Sequence, residues 1–325
     1  MTGRARHNAR GGMLRANRHT LLIGTRGSRL ARIQAETVRD TLSSLHPGRN
    51  WLLQEIRSEG DVRRQASLTS IGGRGVFVKA LEEKLLAGEI DLAVHSLKDM
   101  PTQLATGLTI GAVLPREDTR DALVSRGGPT LDDLPTGAVV GTGSVRRRAQ
   151  LLAYRADLVV RDVRGNVDTR LRKLKDGGYD ALVLAAAALV RLRRTSAVSQ
   201  YLPLALMLPA AGQGALAVEV RQSDEEVMAL IQSLNHLPTE RAVRAERAFL
   251  SALGSGCTVP VAAHATVADG RLNLQGMVAD LNGERLIRDG LSGSAAQAED
   301  IGRRLADSIL AQGGAQILRE AASVQ

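Results

Sequence analysis

From Thr20 onward the chain alternates short apolar runs with amphipathic stretches, and this alternation restricts the fold more than any other feature. "LLIGT" (21–25) reads as a strand, and the segment Ser28 to Leu45 places Leu30, Ile33, Val38, Leu42 and Leu45 at helical spacing. "WLLQEI" (51–56) is a strand, followed by a polar, glycine-ended stretch, 57–75, that reads as a long functional loop. A helix over 76–90 and strands over 91–96 and 108–115 come next. Residues 116–125 read as a crossover into a second series, with strands at 138–142, 158–163 and 180–185 and helices at 144–154 and 166–176. Residues 212–221 return as a strand that rejoins the first series. A helix runs from Thr239, a cap candidate, to Leu253. Three strands at 261–267, 271–280 and 284–290 then form a small antiparallel sheet before a helix over 295–311. Alternating strands and helices predict parallel sheets, so the expected architecture is two α/β lobes and a smaller α+β C-terminal domain.

The sequence pI near 10.5 invites a nucleic-acid reading. The charge is unevenly placed, however. Residues 1–20 hold Arg4, Arg6, Arg10, Arg15 and Arg18 with no acidic residue, so more than half of the net charge of +9 sits in this arm. Aromatic residues make up only 2% of the chain, too few for base-stacking platforms. The arm reads as a disordered extension; it is basic and acid-free like a transit segment, but not serine-rich. The longest apolar run, "ALVLAAAALV" (181–190), is too short to span a bilayer. One cysteine excludes an intrachain disulfide and a cysteine-cluster zinc site, and fits a reducing cytoplasm.

Ligands of open α/β sheets bind beyond the carboxyl ends of the strands. Arg26 and Ser28 follow the first strand, and Lys98 and Asp99 follow the third. Gly143 and Ser144 follow "AVVGT", with Arg146, Arg147 and Arg148 behind them, and Arg164 and Arg170 follow "LVVRDV". Any single arginine here is equally well a solvated helix face. Arginines at a helix start also oppose the helix dipole, so "GTGSVRRR" is unfavourable unless an anion sits there. Four cationic strand ends together predict a cleft for a polyanion bearing carboxylates or phosphates. Asp99, the lone carboxylate, suits stabilisation of a substrate cation or proton transfer to a leaving amine; alone, it is equally a turn residue before Pro101.

Cys257 lies in "GSGCTVP" (254–260). It is either a small buried hydrophobe or a nucleophile or covalent anchor. The six histidines show no metal-ligand spacing, and His95 within a strand reads as a hydrogen-bonded core residue. "GQGALA" (212–217) has the letters of a dinucleotide fingerprint but runs into a strand, so that reading is rejected.

Eight ordered motifs then stand out: "GTRGSRLARIQ" (24–34), "GGRGVFVKALE" (72–82), "DLAVHSLKDMP" (91–101), "REDTRDALV" (116–124), "GTGSVRRRAQL" (141–151), "RGNVDTRLRKL" (164–174), "LPAAGQGALAVE" (208–219) and "GCTVP" (256–260). Together they resemble the porphobilinogen deaminase (hydroxymethylbilane synthase) family, from about Leu21 to the C-terminus. The resemblance implies an α/β fold with two lobes like type II periplasmic binding proteins and a smaller α+β C-terminal domain. It divides the chain into an arm (1–19), a first domain (20–115 with 213–234), a second (116–212) and a third (235–325). It implies a cytoplasmic, monomeric transferase that condenses four porphobilinogen molecules head-to-tail and releases ammonia, with no nucleic-acid or membrane partner. It also implies a dipyrromethane cofactor held by a thioether to Cys257, and no metal. Asp99 takes the place of the catalytic aspartate, where it assists loss of the amine. Arg26, Arg146, Arg147, Arg164 and Arg170 take the places of carboxylate-binding arginines, and Ser28, Gln34, Lys98, Thr142, Ser144 and Gln213 those of supporting contacts. Two departures are Arg74, where many relatives have lysine, and the arm 1–20, which has no counterpart. The alternatives are a non-catalytic two-lobed carboxylate binder, which needs neither Cys257 nor Asp99, and a basic nucleic-acid binder.

Overall fold

The computed structural model describes residues 19–56, 75–254 and 259–323. The expected loop 57–75, Arg74 and Cys257 fall, but for Gly75, outside the described residues. The first lobe begins with β1 (Thr20–Arg26), α1 (Arg29–Leu45) and β2 (Asn50–Ile56), then α2 (Gly75–Leu86), β3 (Leu92–Ser96) and β4 (Leu108–Val113). The second lobe holds β5 (Asp121–Ser125), β6 (Val139–Gly141), α3 (Val145–Tyr154), β7 (Val159–Arg161), α4 (Val167–Lys175), β8 (Ala181–Ala185), α5 (Ala186–Arg191) and β9 (Gln200–Tyr201). The chain then returns through β10 (Leu216–Arg221), α6 (Glu225–Ile231) and α7 (Leu237–Ala252). The last part contains β11 (Val261–Ala268), β12 (Arg271–Ala279), β13 (Leu286–Ser294), α8 (Ala298–Ile309) and α9 (Ala315–Ser323).

The sheets run β2-β1-β3-β10-β4, β7-β6-β8-β5-β9 and β11-β12-β13. The first two share one arrangement. In each, the strand that has just crossed from the other lobe lies fourth in the order and antiparallel to its neighbours: β10 beside β3 and β4, β5 beside β8 and β9. Two lobes that share one strand order are what the resemblance implies. The antiparallel strand corrects the expectation of parallel sheets: a strand arriving from the opposite lobe enters from the other end, so both sheets are mixed. The duplication extends to side chains. The Asp91 carboxylate accepts from Leu22 N–H, while Asp91 N–H donates to the Leu22 carbonyl; Asp180 does the same with Val139 in the second lobe.

Each sheet has its own core. Leu21, Ile23, Leu42, Trp51, Val94 and Val218 fill the first, and Leu123, Val140, Leu151, Val183 and Met207 the second. Phe249, Leu274, Ile301 and Leu305 pack helices α7 and α8 against the antiparallel sheet of the third. Three local expectations need correcting. The helix expected over 76–90 stops at Leu86, just before Gly88. Thr239 is not the cap of α7: His236 is, its ring accepting from the Thr239 N–H, because the helix starts earlier with Pro238 in its first turn. The helix expected over 295–311 begins with a tight turn at Ala295–Gln297, and a wide turn at Leu310–Gly314, with Gly313 at φ 108°, separates α8 from α9.

Two chain crossings join the lobes, and both meet the third domain at one buried ion pair. Arg116 donates bidentately to the fully buried Glu246 of α7 (2.6 and 3.1 Å), and its Nε donates to the Gln213 carbonyl (2.8 Å). Glu246 also accepts the backbone N–H groups of Gly212 (2.6 Å) and Ala265 (2.7 Å). The glycines of "GQG" serve this crossing. Gly214 sits at φ 88°, and a Cβ there would lie 2.4 Å from the Glu117 carbonyl oxygen. Close backbone approach, not pyrophosphate binding, is what that motif provides. Replacing Glu246 by leucine strands a buried guanidinium and two N–H groups, so Glu246→Leu should cost about 3–5 kcal/mol. Glu299→Leu, which breaks an exposed pair with Arg244, should cost about 0.2–1 kcal/mol. Comparing the two variants by scanning calorimetry checks this ordering.

Candidate active site

Loops at the carboxyl ends of β1, β3, β6 and β7 carry the expected site residues. Arg26 closes β1, and Ser28 caps α1, its hydroxyl accepting from the Ala31 N–H (3.2 Å). Gln34, one turn into α1, is buried and exchanges hydrogen bonds with the Ser96 hydroxyl at the end of β3 (2.9 and 3.1 Å). Gln34 thus fixes the strand end that leads to Asp99 and spends its amide on protein.

Lys98 and Asp99 lie in a single tight turn, Leu97–Asp99, directly after β3. Both are half-buried. The turn is closed by the Met100 N–H on the Leu97 carbonyl, not by the aspartate side chain. The Asp99 carboxylate makes no hydrogen bond or ion pair among the described residues. The turn-cap reading is therefore the weaker one, and the side chain is available to a ligand.

In the second lobe Thr142 is buried and its hydroxyl accepts from the Ser144 N–H (3.3 Å). Ser144 stands at the cap position of α3 without capping it through its side chain. Arg164 is exposed beside Asp162 (3.0 Å), and Arg170 donates to the Gly165 carbonyl (2.8 Å).

The arginines of "GTGSVRRR" do not wait for a ligand to balance their charge. Arg146 and Arg147 are 5% and 6% exposed, and both meet the fully buried Asp121 at the start of β5 (2.8 and 2.7 Å). They also donate to the carbonyls of Leu208 (2.7 Å) and Val183 (2.9 Å). Burial alone raises the Asp121 pKa, but the two guanidinium groups override it and hold the carboxyl well below its usual range. The anion that the sequence calls for at this helix start is, in the first instance, internal.

Gln213 joins this cluster to the first lobe. It is fully buried: its Nε2 donates to Asp121 Oδ1 (2.8 Å) and the Thr119 carbonyl (2.8 Å), and its Oε1 accepts from Lys98 Nζ (3.4 Å). Having no exposed surface, it is a bridge between protein groups rather than the direct ligand contact expected for it. The lobes also meet where Arg191, at the end of α5, donates to the Gly214 carbonyl (2.6 Å), its pKa lowered by burial. At the rim an exposed pair, Arg29–Asp168, spans the lobes at 3.6 Å.

Asp121, Arg191 and the Arg116–Glu246 pair carry no role in the sequence reading. Arg116 and Asp121 both lie inside the motif "REDTRDALV", where two acids and two arginines precede a strand, so a signal was present. Arg191 and Glu246 sit in ordinary helical stretches and gave none. His95 is a core residue as expected, 6% exposed, with Nε2 3.0 Å from Glu219. Among the described residues no cluster of potential ligands suits a metal ion, and no helix is long and apolar enough to cross a membrane.

Comparison with known proteins converges on one family. The family model described as "Porphobilinogen deaminase, dipyromethane cofactor binding domain" matches residues 21–229, and the C-terminal domain model of the same family matches residues 241–311. A porphobilinogen deaminase of Desulforudis audaxviator is 51% identical over 301 residues, covering 93% of this chain and 97% of the relative. That of Moorella thermoacetica is 51% identical over 298 residues (92% and 95%), and that of Synechococcus elongatus 47% over 301 residues (92% and 94%). Two mixed sheets of matching order and these likenesses over nearly the whole length place the chain in the porphobilinogen deaminase family.

Proposed function

We propose that this chain is a hydroxymethylbilane synthase. It condenses four porphobilinogen molecules head-to-tail into linear hydroxymethylbilane, releases ammonia at each addition, and works on a dipyrromethane primer tethered by a thioether to Cys257. The observation that carries the reading is Asp99: a half-buried carboxylate just after a strand end, uncommitted among the described residues and next to Lys98 in the chain.

The donor set fits a polycarboxylate group. Arg26, Lys98, Arg164 and Arg170 provide cations at or after the ends of three strands, β1, β3 and β7, and Ser28, Thr142 and Ser144 add hydroxyls after β1 and β6. Guanidinium groups suit carboxylates because they donate in parallel pairs. Arg146 and Arg147 add positive charge from behind, already oriented by Asp121. When bound, dipyrromethane supplies the pyrrole terminus to which each new unit is joined. Cys257, the chain's one thiol, follows α7 and precedes β11, a position suited to a tether. Asp99 steadies the positive charge that develops as the substrate's carbon–nitrogen bond breaks, and it holds the proton balance at the leaving amine. The arginines hold the substrate's acetate and propionate so that the reacting carbons meet in one orientation. The same reading makes the protein a cytoplasmic monomer, with domains of 20–115 plus 213–234, 116–212 and 235–325. The arm 1–19 stands outside the catalytic unit.

Asp99→Asn should lower the rate of bilane formation about 100-fold or more while leaving the unfolding temperature within a degree or so. Turnover by absorbance and stability by calorimetry check this, and unchanged turnover removes Asp99 from the chemistry. Denaturing mass spectrometry of the purified protein, after incubation with porphobilinogen, should show a mass excess of two linked pyrrole units on the peptide carrying Cys257. Cys257→Ser should show none. Retained ligand binding with no ammonia released and a bare thiol would favour a two-lobed carboxylate binder instead.

A further inference from the structure

We propose that Asp121 is a positioning residue for this reaction, acting through Gln213 on Lys98 and directly on Arg146 and Arg147. The inference rests on the proposed function and concerns residues of the chain that touch one another. Asp121 has no exposed surface, so it cannot meet a ligand. Its two oxygens are divided: Oδ2 faces Arg146 (2.8 Å), while Oδ1 accepts from both Arg147 (2.7 Å) and Gln213 (2.8 Å). The Gln213 amide is thereby fixed in one orientation, with its NH2 toward Asp121 and its oxygen toward Lys98 Nζ (3.4 Å). A flipped amide would set its carbonyl against the carboxylate. One carboxylate therefore sets the direction of three cationic side chains drawn from both lobes, one of them the neighbour of Asp99.

The charge arithmetic gives this role its own signature. Two guanidinium groups face one carboxylate, so the Asp121, Arg146 and Arg147 side chains together sum to one positive charge. Neutralising Asp121 raises that charge but loosens its direction. A group that only binds substrate, equally in ground and transition states, raises KM when removed, and removing a purely structural group lowers stability alone. A positioning group lowers kcat without raising KM.

The test uses the full-length protein loaded with its primer. Asp121→Asn keeps shape and loses charge; Gln213→Met keeps the Asp121–arginine pairs and breaks the link to Lys98. Each is expected to lower kcat at least about ten-fold, with KM for porphobilinogen unchanged or lower. The double variant should lose much less than the product of the two single losses, since both cut one chain of contacts. Loading of primer-free protein with preformed hydroxymethylbilane, followed by mass spectrometry, gives a readout independent of turnover. It should slow in both variants. Raised KM with normal kcat, independent multiplicative losses, or a lowered unfolding temperature with wild-type kinetics and loading would each overturn the proposal. If Asp121→Asn does not fold, Gln213→Met decides alone by the same criteria. A wild-type protein that forms no bilane overturns the proposed function; an active wild type beside kinetically normal variants overturns only this inference.

Discussion

Glu246 is a carboxylate with no exposed surface, and three separate parts of the chain depend on it. Arg116 comes to it from the first crossing between lobes, Gly212 from the second, and Ala265 from the C-terminal sheet. A buried ion pair is weak evidence for stability by itself, because desolvation consumes most of the Coulomb gain. Its value here is specificity. Each of the two oxygens accepts from Arg116 and from one backbone N–H, of Gly212 in a crossing or of Ala265 in the C-terminal sheet, so an alternative packing leaves a charge uncompensated. From that point outward the two lobes are near-copies: each orders its strands alike, and each uses one aspartate to clip the start of its central strand to the neighbouring strand.

The arginine-rich helix start shows how a correct physical demand can have more than one answer. Arginines at the positive end of a helix need an anion. The expected anion was the ligand, but Asp121 from the adjacent strand already stands there, below its ordinary pKa and shielded from water. The internal carboxylate does not remove the ligand's role, because two guanidinium groups share one acid. It makes the cluster stable before ligand arrives, and so spares the ligand the cost of ordering it.

Much of this was legible in the sequence for a clear reason. Apolar alternation marks buried strands, and strand ends are where α/β proteins place ligands, so Arg26, Asp99, Ser144 and Arg164 were found by position. Sheet direction was not legible, because alternation records burial and not the end from which a strand enters; β5 and β10 show this. The duplication was faintly visible in "IGTRGS" and "VGTGSV", each a strand ending in Gly-Thr followed by serine, but strand pairing was needed to see it. Gln34 and Gln213 were named for their places in motifs, and the structure pairs both with protein groups, since a motif fixes a residue's place and not the direction of its side chain. Glu246 was illegible because its partners lie 130, 34 and 19 residues away.

Two of the ion pairs at the domain boundaries differ in kind. Arg116–Glu246 is sealed from water, while Arg29–Asp168 at the rim is exposed on both sides. Dissolved salt screens the second and scarcely reaches the first, with a Debye length of about 8 Å at physiological ionic strength. Ionic strength therefore acts on the exposed Arg29–Asp168 contact and scarcely on the Arg116–Glu246 junction.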